Sequence, residues 1–321
     1  MKPLYSLTWL FALCDFSNAT VTGFTMDFVD ITGGVVADDT GYGAVGNDYR
    51  MGKYEVSRGM IEAYNSAADG GPDITLADMT GYGGNGTNRP ATGVSWNGAA
   101  RFVNWLNTSS GYPAAYNFTT DGGNDNITLW TSGDAGYDAY NPFRNSHSYY
   151  FLPSEDEWYR AAYYDPSANG GAGGYWDYAT GSDSAPIAVA NGTTSGTAVW
   201  HRSLLAGPAN VEATGGLSAF GTMGQGGNAW EWLEDASSLP NDLASEDRLA
   251  RGGFWGSSLA HVNSNGLASY SPRAEQSPAF VDMGRGFRVA SIAPVPEPSG
   301  AILTLVGMMS FVLRRKRCAR N

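Results

Sequence analysis

Cysteine is nearly missing: Cys14 and Cys318 are the only two in 321 residues, and each lies close to a chain end. The body between them therefore has no disulfide framework, no thiolate metal site and no cysteine nucleophile. Histidine is almost as scarce. His147, His201 and His261 stand singly, without the spacing of a histidine metal motif. Basic residues are few, with 19 Lys and Arg against 31 Asp and Glu for a formal charge of -12, which excludes a phosphate-tracking surface built on counterion release. The one basic cluster, Arg314, Arg315, Lys316 and Arg317, follows an apolar run and reads as a membrane-flanking anchor. Phosphate loops, dinucleotide fingerprints and a Gly-x-Ser-x-Gly elbow are also absent. Between Gly23 and Ile292 neither a proline-rich linker nor a charge block divides the chain, so one domain is the simpler reading.

Glycine and aromatics are plentiful. With 43 Gly, 13% aromatic and only 16% charged residues, the composition describes a loop-rich globular body whose loops are pinned by aromatic side chains. Lys2, the apolar stretch Leu4 to Cys14 and Ser17-Asn18-Ala19 predict a signal peptide over residues 1–19 and export, a mis-assigned start being the alternative. At the other end, Gly300 to Leu313 is a run of 14 uncharged residues, short for a membrane span and by length alone compatible with a buried helix.

Alternation over Tyr49–Val56 predicts a half-buried strand. Ser57 then caps a short helix with Met60, Ile61 and Tyr64 on one face. Ser95 is a natural cap for a helix reaching Leu106, with Trp96, Ala99, Phe102, Val103 and Leu106 facing the core. Ser154-Glu155-Asp156-Glu157 is a capping box, so its three carboxylates are assigned to the helix start rather than to acid-base chemistry. Asp121 to Asn126 has the look of a calcium loop but carries Ser132 where the bidentate Glu belongs.

Four motifs occur in order: Leu152-Pro153-Ser154-Glu155-Asp156-Glu157-Trp158, Gly226-Gly227-Asn228-Ala229-Trp230-Glu231-Trp232, Arg251-Gly252-Gly253-Phe254-Trp255 and Gly286-Phe287-Arg288-Val289. Together they resemble the formylglycine-generating enzyme family, the sulfatase-modifying factors. The resemblance implies an α+β fold, loop-rich and C-type-lectin-like, over residues 20–293. It implies a calcium loop in which Gly227 and Ala229 offer carbonyls and Glu231 a carboxylate, although Gly224 stands where the family has Asn or Asp. It also locates the oxidases' copper(I)-binding cysteines at Ser257 and Val262, neither of which can hold that soft ion. No catalytic residue is therefore assigned. Trp255, Ser257, Ser258 and His261 are expected to line the emptied pocket, and Arg288 to pair with a buried carboxylate or loop carbonyls, or to anchor a ligand. Val295-Pro296-Glu297-Pro298-Ser299, the apolar run and the basic cluster resemble the PEP-CTERM sorting signal of exopolysaccharide-producing bacteria, over residues 294–321. That resemblance implies an exosortase partner, a membrane segment before processing and a place at the cell surface. The expected activity is binding of a glycan or protein. An oxidoreductase with an unrecognised metal site and a structural role in a biofilm matrix are the alternatives.

Overall fold

Three serines start the three main helices. Ser57 Oγ accepts from the Met60 amide, Ser95 Oγ from Gly98, and Ser154 Oγ from Glu157, whose carboxylate reaches back to the Ser154 amide to close the capping box. The computed structural model describes residues 18–21, 23–39, 41–67, 69–118, 127–237, 245–262 and 274–293. Most of the expected signal peptide, the Asp121–Asn126 loop and the C-terminal sorting segment lie outside the described residues. The helices are α1 (Arg58–Ser66), α2 (Trp96–Ser109) and α3 (Glu155–Tyr163). The strands of the two larger sheets are β1 (Asn18–Val21), β2 (Phe24–Ile31), β3 (Tyr49–Gly52), β4 (Tyr150–Phe151), β5 (Trp230–Ala236), β6 (Arg248–Arg251), β7 (Ala274–Gln276), β8 (Arg285–Phe287) and β9 (Ala290–Ile292).

One sheet runs β1-β2-β3-β9-β4 and is antiparallel throughout. The other runs β7-β6-β5-β8, with β5 and β8 parallel and the remaining pairs antiparallel. Two-residue ribbons and long connections fill the rest, giving a mixed α+β, loop-rich architecture. Among the described residues no helix is long and apolar enough to cross a membrane.

The face expected of α2 is buried, with Trp96, Ala99, Phe102, Val103 and Leu106 all at 0% exposure. Asn97, Arg101 and Asn107 are buried as well, so α2 threads the interior rather than lying on it. Asn107 makes that tolerable by accepting from the Tyr149 and Tyr150 amides and donating to the Tyr150 carbonyl, which fixes β4 against the helix. Tryptophan indoles satisfy backbone in the same way: Trp96 donates to Leu233 O at 2.7 Å and Trp232 to Val94 O at 2.8 Å.

One strand expectation changes. Tyr49–Val56 forms a strand only to Gly52, and β3 is buried on both faces because Tyr49 and Met51 pack with Ile31, Phe151 and Ala161 while Arg50 lies against the Phe28 and Tyr149 rings. Gly286 to Ala290 is divided between two sheets: β8 ends at Phe287, β9 begins at Ala290, and Arg288 and Val289 make the crossing. Backbone bonds from Gly52 N to Val289 O and from Val56 N to Phe287 O hold that crossing against the end of β3.

Candidate functional site

β6 delivers Arg251 to a pair of left-handed glycines, Gly252 (φ +97°) and Gly253 (φ +74°). Only glycine takes this path readily, and at Gly252 a Cβ would press to 2.9 Å from Gln225 O. The turn folds the following residues back. A Cβ on Gly253 would stand 3.0 Å from Ser257 Oγ and 3.2 Å from Val262 Cγ1, so both side chains converge over one glycine. Ser257 is buried and its Oγ accepts from the Phe254 amide at 2.9 Å, closing the turn.

The expected pocket residues separate into two environments. Trp255 is fully buried against Met79, Val199 and Ala209, with its indole donating to Leu204 O, so its ring packs inside the protein. Ser258 is exposed and lies 3.3 Å from His261 Nδ1, while the His261 ring meets Trp230 edge-on with centroids 5.5 Å apart. Partial burial lowers the His261 pKa from its ordinary value, which leaves a neutral imidazole at pH 7. His147 and His201 are exposed and distant in sequence from this pair. Among the described residues no three His, Cys, Asp or Glu side chains are grouped to hold a metal ion.

Below this turn lies a buried polar cluster. Arg288 and Glu231, both at 0% side-chain exposure, form a two-pronged ion pair, Nη2 to Oε1 at 2.6 Å and Nε to Oε2 at 2.7 Å. Arg288 also donates to the carbonyls of Gly52, Lys53 and Met223, and Trp158 Nε1 donates to Glu231 Oε2 at 2.6 Å. The pairing of Arg288 with a buried carboxylate and loop carbonyls is the arrangement expected of it. Gly227 (φ +134°) runs so close to the Val199 carbonyl that a side chain is excluded.

Sequence reasoning missed Glu55. Its carboxylate accepts from Asn228 Nδ2 at 2.6 Å and from the Ala229 amide at 3.0 Å, so it clasps the loop in which the family resemblance implies calcium. Burial raises the Glu55 pKa well above the ordinary carboxylate range; Glu231 adds to the rise and Arg288 opposes it. The only signal available was one acidic residue inside the apolar stretch Tyr54-Glu55-Val56. Asn228 itself takes φ +62°, a conformation Asn tolerates and the clasp holds.

Residues 16–293 match the sequence profile of the Sulfatase-modifying factor enzyme 1-like domain. Among solved structures, the chain is similar to Treponema denticola variable protein 1, with 18% identity and a TM-score of 0.56 over 86% of this chain and 98% of that one. It is also similar to CarF, with 21% identity and a TM-score of 0.54 over 84% of this chain and 98% of that one. PvdO from Pseudomonas aeruginosa shows a weaker likeness, with 18% identity and a TM-score of 0.47 over 84% and 94% of the two chains. No curated protein matches. At these identities the structural likenesses speak to the fold.

Proposed function

This chain belongs to the sulfatase-modifying factor family, and from that membership we propose that it is an exported, surface-associated member that binds a glycan or protein instead of oxidising cysteine. The convergence of Ser257 and Val262 over Gly253 supports the reading, because the family resemblance implies the oxidases' copper-binding thiols at these two positions. A serine hydroxyl is too hard and too weakly acidic to hold copper(I), and valine has no donor at all. On this reading the double-glycine turn is kept and the copper chemistry of the oxidases is not. We read the scaffold as C-type-lectin-like, which suits a loop surface for recognition, and the terminal segments as a signal peptide and an exosortase-processed anchor. Ser258 and His261 face outward beside the turn and are the side chains assigned to ligand contact.

Calcium does not belong to this reading. Glu231 receives three N–H donors and carries Arg288 at 2.6 Å, so its carboxylate is neutralised from within, and the residues do not fit a divalent ion as they stand. The family's calcium loop is here held by Glu55 and Arg288. Millimolar calcium is expected to leave the melting temperature unchanged; a rise of several degrees would return the ion to the site.

The test of function uses the full chain with a cysteine peptide of the sulfatase type and copper(I). Mass spectrometry should find no aldehyde, and turnover would refute the proposal. Glycan arrays and pull-downs should in turn yield a ligand whose binding is lost in Ser258→Ala with His261→Ala; silence in both counts against a binding role. Placing thiols back, as Ser257→Cys with Val262→Cys, should create one copper(I) site per chain that the parent lacks.

A further inference from the structure

In a chain of net charge -12, one cavity of about 240 Å³ is lined by two arginines and by no carboxylate. Arg89 Nη1 donates to Pro208 O at 2.8 Å, and Arg202 Nη1 donates to Gly207 O at 2.9 Å and Ala190 O at 3.1 Å. The two guanidinium groups are thus clamped on consecutive carbonyls and brought side by side. Gly207 (φ +66°) makes this possible: a Cβ there would run into Tyr82 O and come to 3.1 Å from Arg89 Nη1.

Neither arginine has a carboxylate partner among the described residues, and the Nε and Nη2 donors of both remain available. The nearest acid in sequence, Glu212, lines a different cavity beside Asp27 and Met60. Like charge and burial both act against Arg202, whose pKa is lowered by burial and then by Arg89. Two guanidinium groups lining one cavity offer an anion both positive charge and paired N–H donors. Asn191 and Asn210 add neutral amides to the same lining.

We propose that this cavity binds the oxyanion of a small acidic ligand, a carboxylate, sulfate or phosphate group gripped between Arg89 and Arg202. Planar guanidinium forks match the two-oxygen edge of such groups, which a point charge does not. The volume is below that of pockets built for large ligands, so one acidic group on a small frame fits. A polyanionic surface does not, because the acidic body repels it. The site lies on the loops carrying Arg89, Asn191 and residues 202–213, and it stands whether or not the reading of Ser257 and Val262 holds.

Calorimetric titration of the full chain with glucuronate, sodium sulfate and inorganic phosphate, at an ionic strength fixed with chloride, tests the assignment. Glucose serves as the uncharged counterpart of glucuronate. At least one oxyanion should bind with one-to-one stoichiometry while glucose gives no heat, and the one that binds best identifies the acidic group. Arg89→Gln and Arg202→Gln should each weaken it tenfold or more with unchanged circular dichroism. Absence of binding by all three anions, or equal binding by parent and both variants, would overturn the proposal. Should a glutamine variant fail to fold, Arg202→Lys keeps the charge but loses the fork. It should weaken binding several-fold, and an unchanged affinity there is equally fatal.

Discussion

Asp235 lies where α3 begins, its carboxylate accepting from the Glu155 amide. Burial, then the neighbouring Glu234, push its pKa from an ordinary 3.8 up to about 7. The folded state therefore holds a proton that the unfolded chain releases, and stability falls as pH rises from about 4 to about 7. Asp235→Asn keeps an acceptor for the Glu155 amide and removes the charge. It should flatten this slope and raise stability on the order of 2 kcal/mol at pH 8, while leaving the protein nearly unchanged at pH 4. Urea denaturation at the two pH values measures the difference, and a parallel loss at both would contradict the assignment. Trp255 teaches a related lesson at this scale. A tryptophan after a double glycine looks like a ligand platform in sequence, yet its 0% exposure reserves it for the interior.

The helix starts were legible because capping is local. Ser57, Ser95 and Ser154 each sit immediately before a helical face, and each hydroxyl finds its amide within three residues. Ser154 is the strongest of the three, being reciprocated by Glu157, which also meets Arg144 at 3.1 Å. Ser154→Ala is expected to lower stability by about 1–2 kcal/mol and Ser57→Ala, with its longer 3.4 Å bond, by about 0.5 kcal/mol. Chemical denaturation midpoints should keep that order. Strands were less legible: Tyr49 to Val56 alternates well enough, but side chains of other elements cover both faces, Phe151 and Ala161 on one and Phe28 and Tyr149 on the other, and the chain leaves the sheet after Gly52.

At the scale of the molecule, Arg288 is where the two sheets meet. It stands in the two-residue crossing from β8 to β9 and binds β3 through Gly52 O and β5 through Glu231. Arg288→Met leaves Glu231 charged and buried beside Glu55, and should destabilise the fold by about 3–5 kcal/mol. Combining it with Glu231→Gln removes the stranded charge, so the double variant should be more stable than Arg288→Met alone. Thermal unfolding of the three variants and the parent checks this, and strict additivity would argue against a coupled pair.

The sequence by itself determined the family, the α+β class, the helix starts and the absence of any cysteine between Cys14 and Cys318, since all of these depend on short spacing or on the identity of single side chains. Tertiary structure alone decided that Glu55 clasps Asn228 from 173 residues away, that Trp255 faces inward, and that Arg89 and Arg202 share a cavity. Such contacts join loops remote in the chain, and a loop carries no periodicity from which its partner can be read. Their pairing is set by which buried charges and carbonyls must find one another once the two sheets have closed.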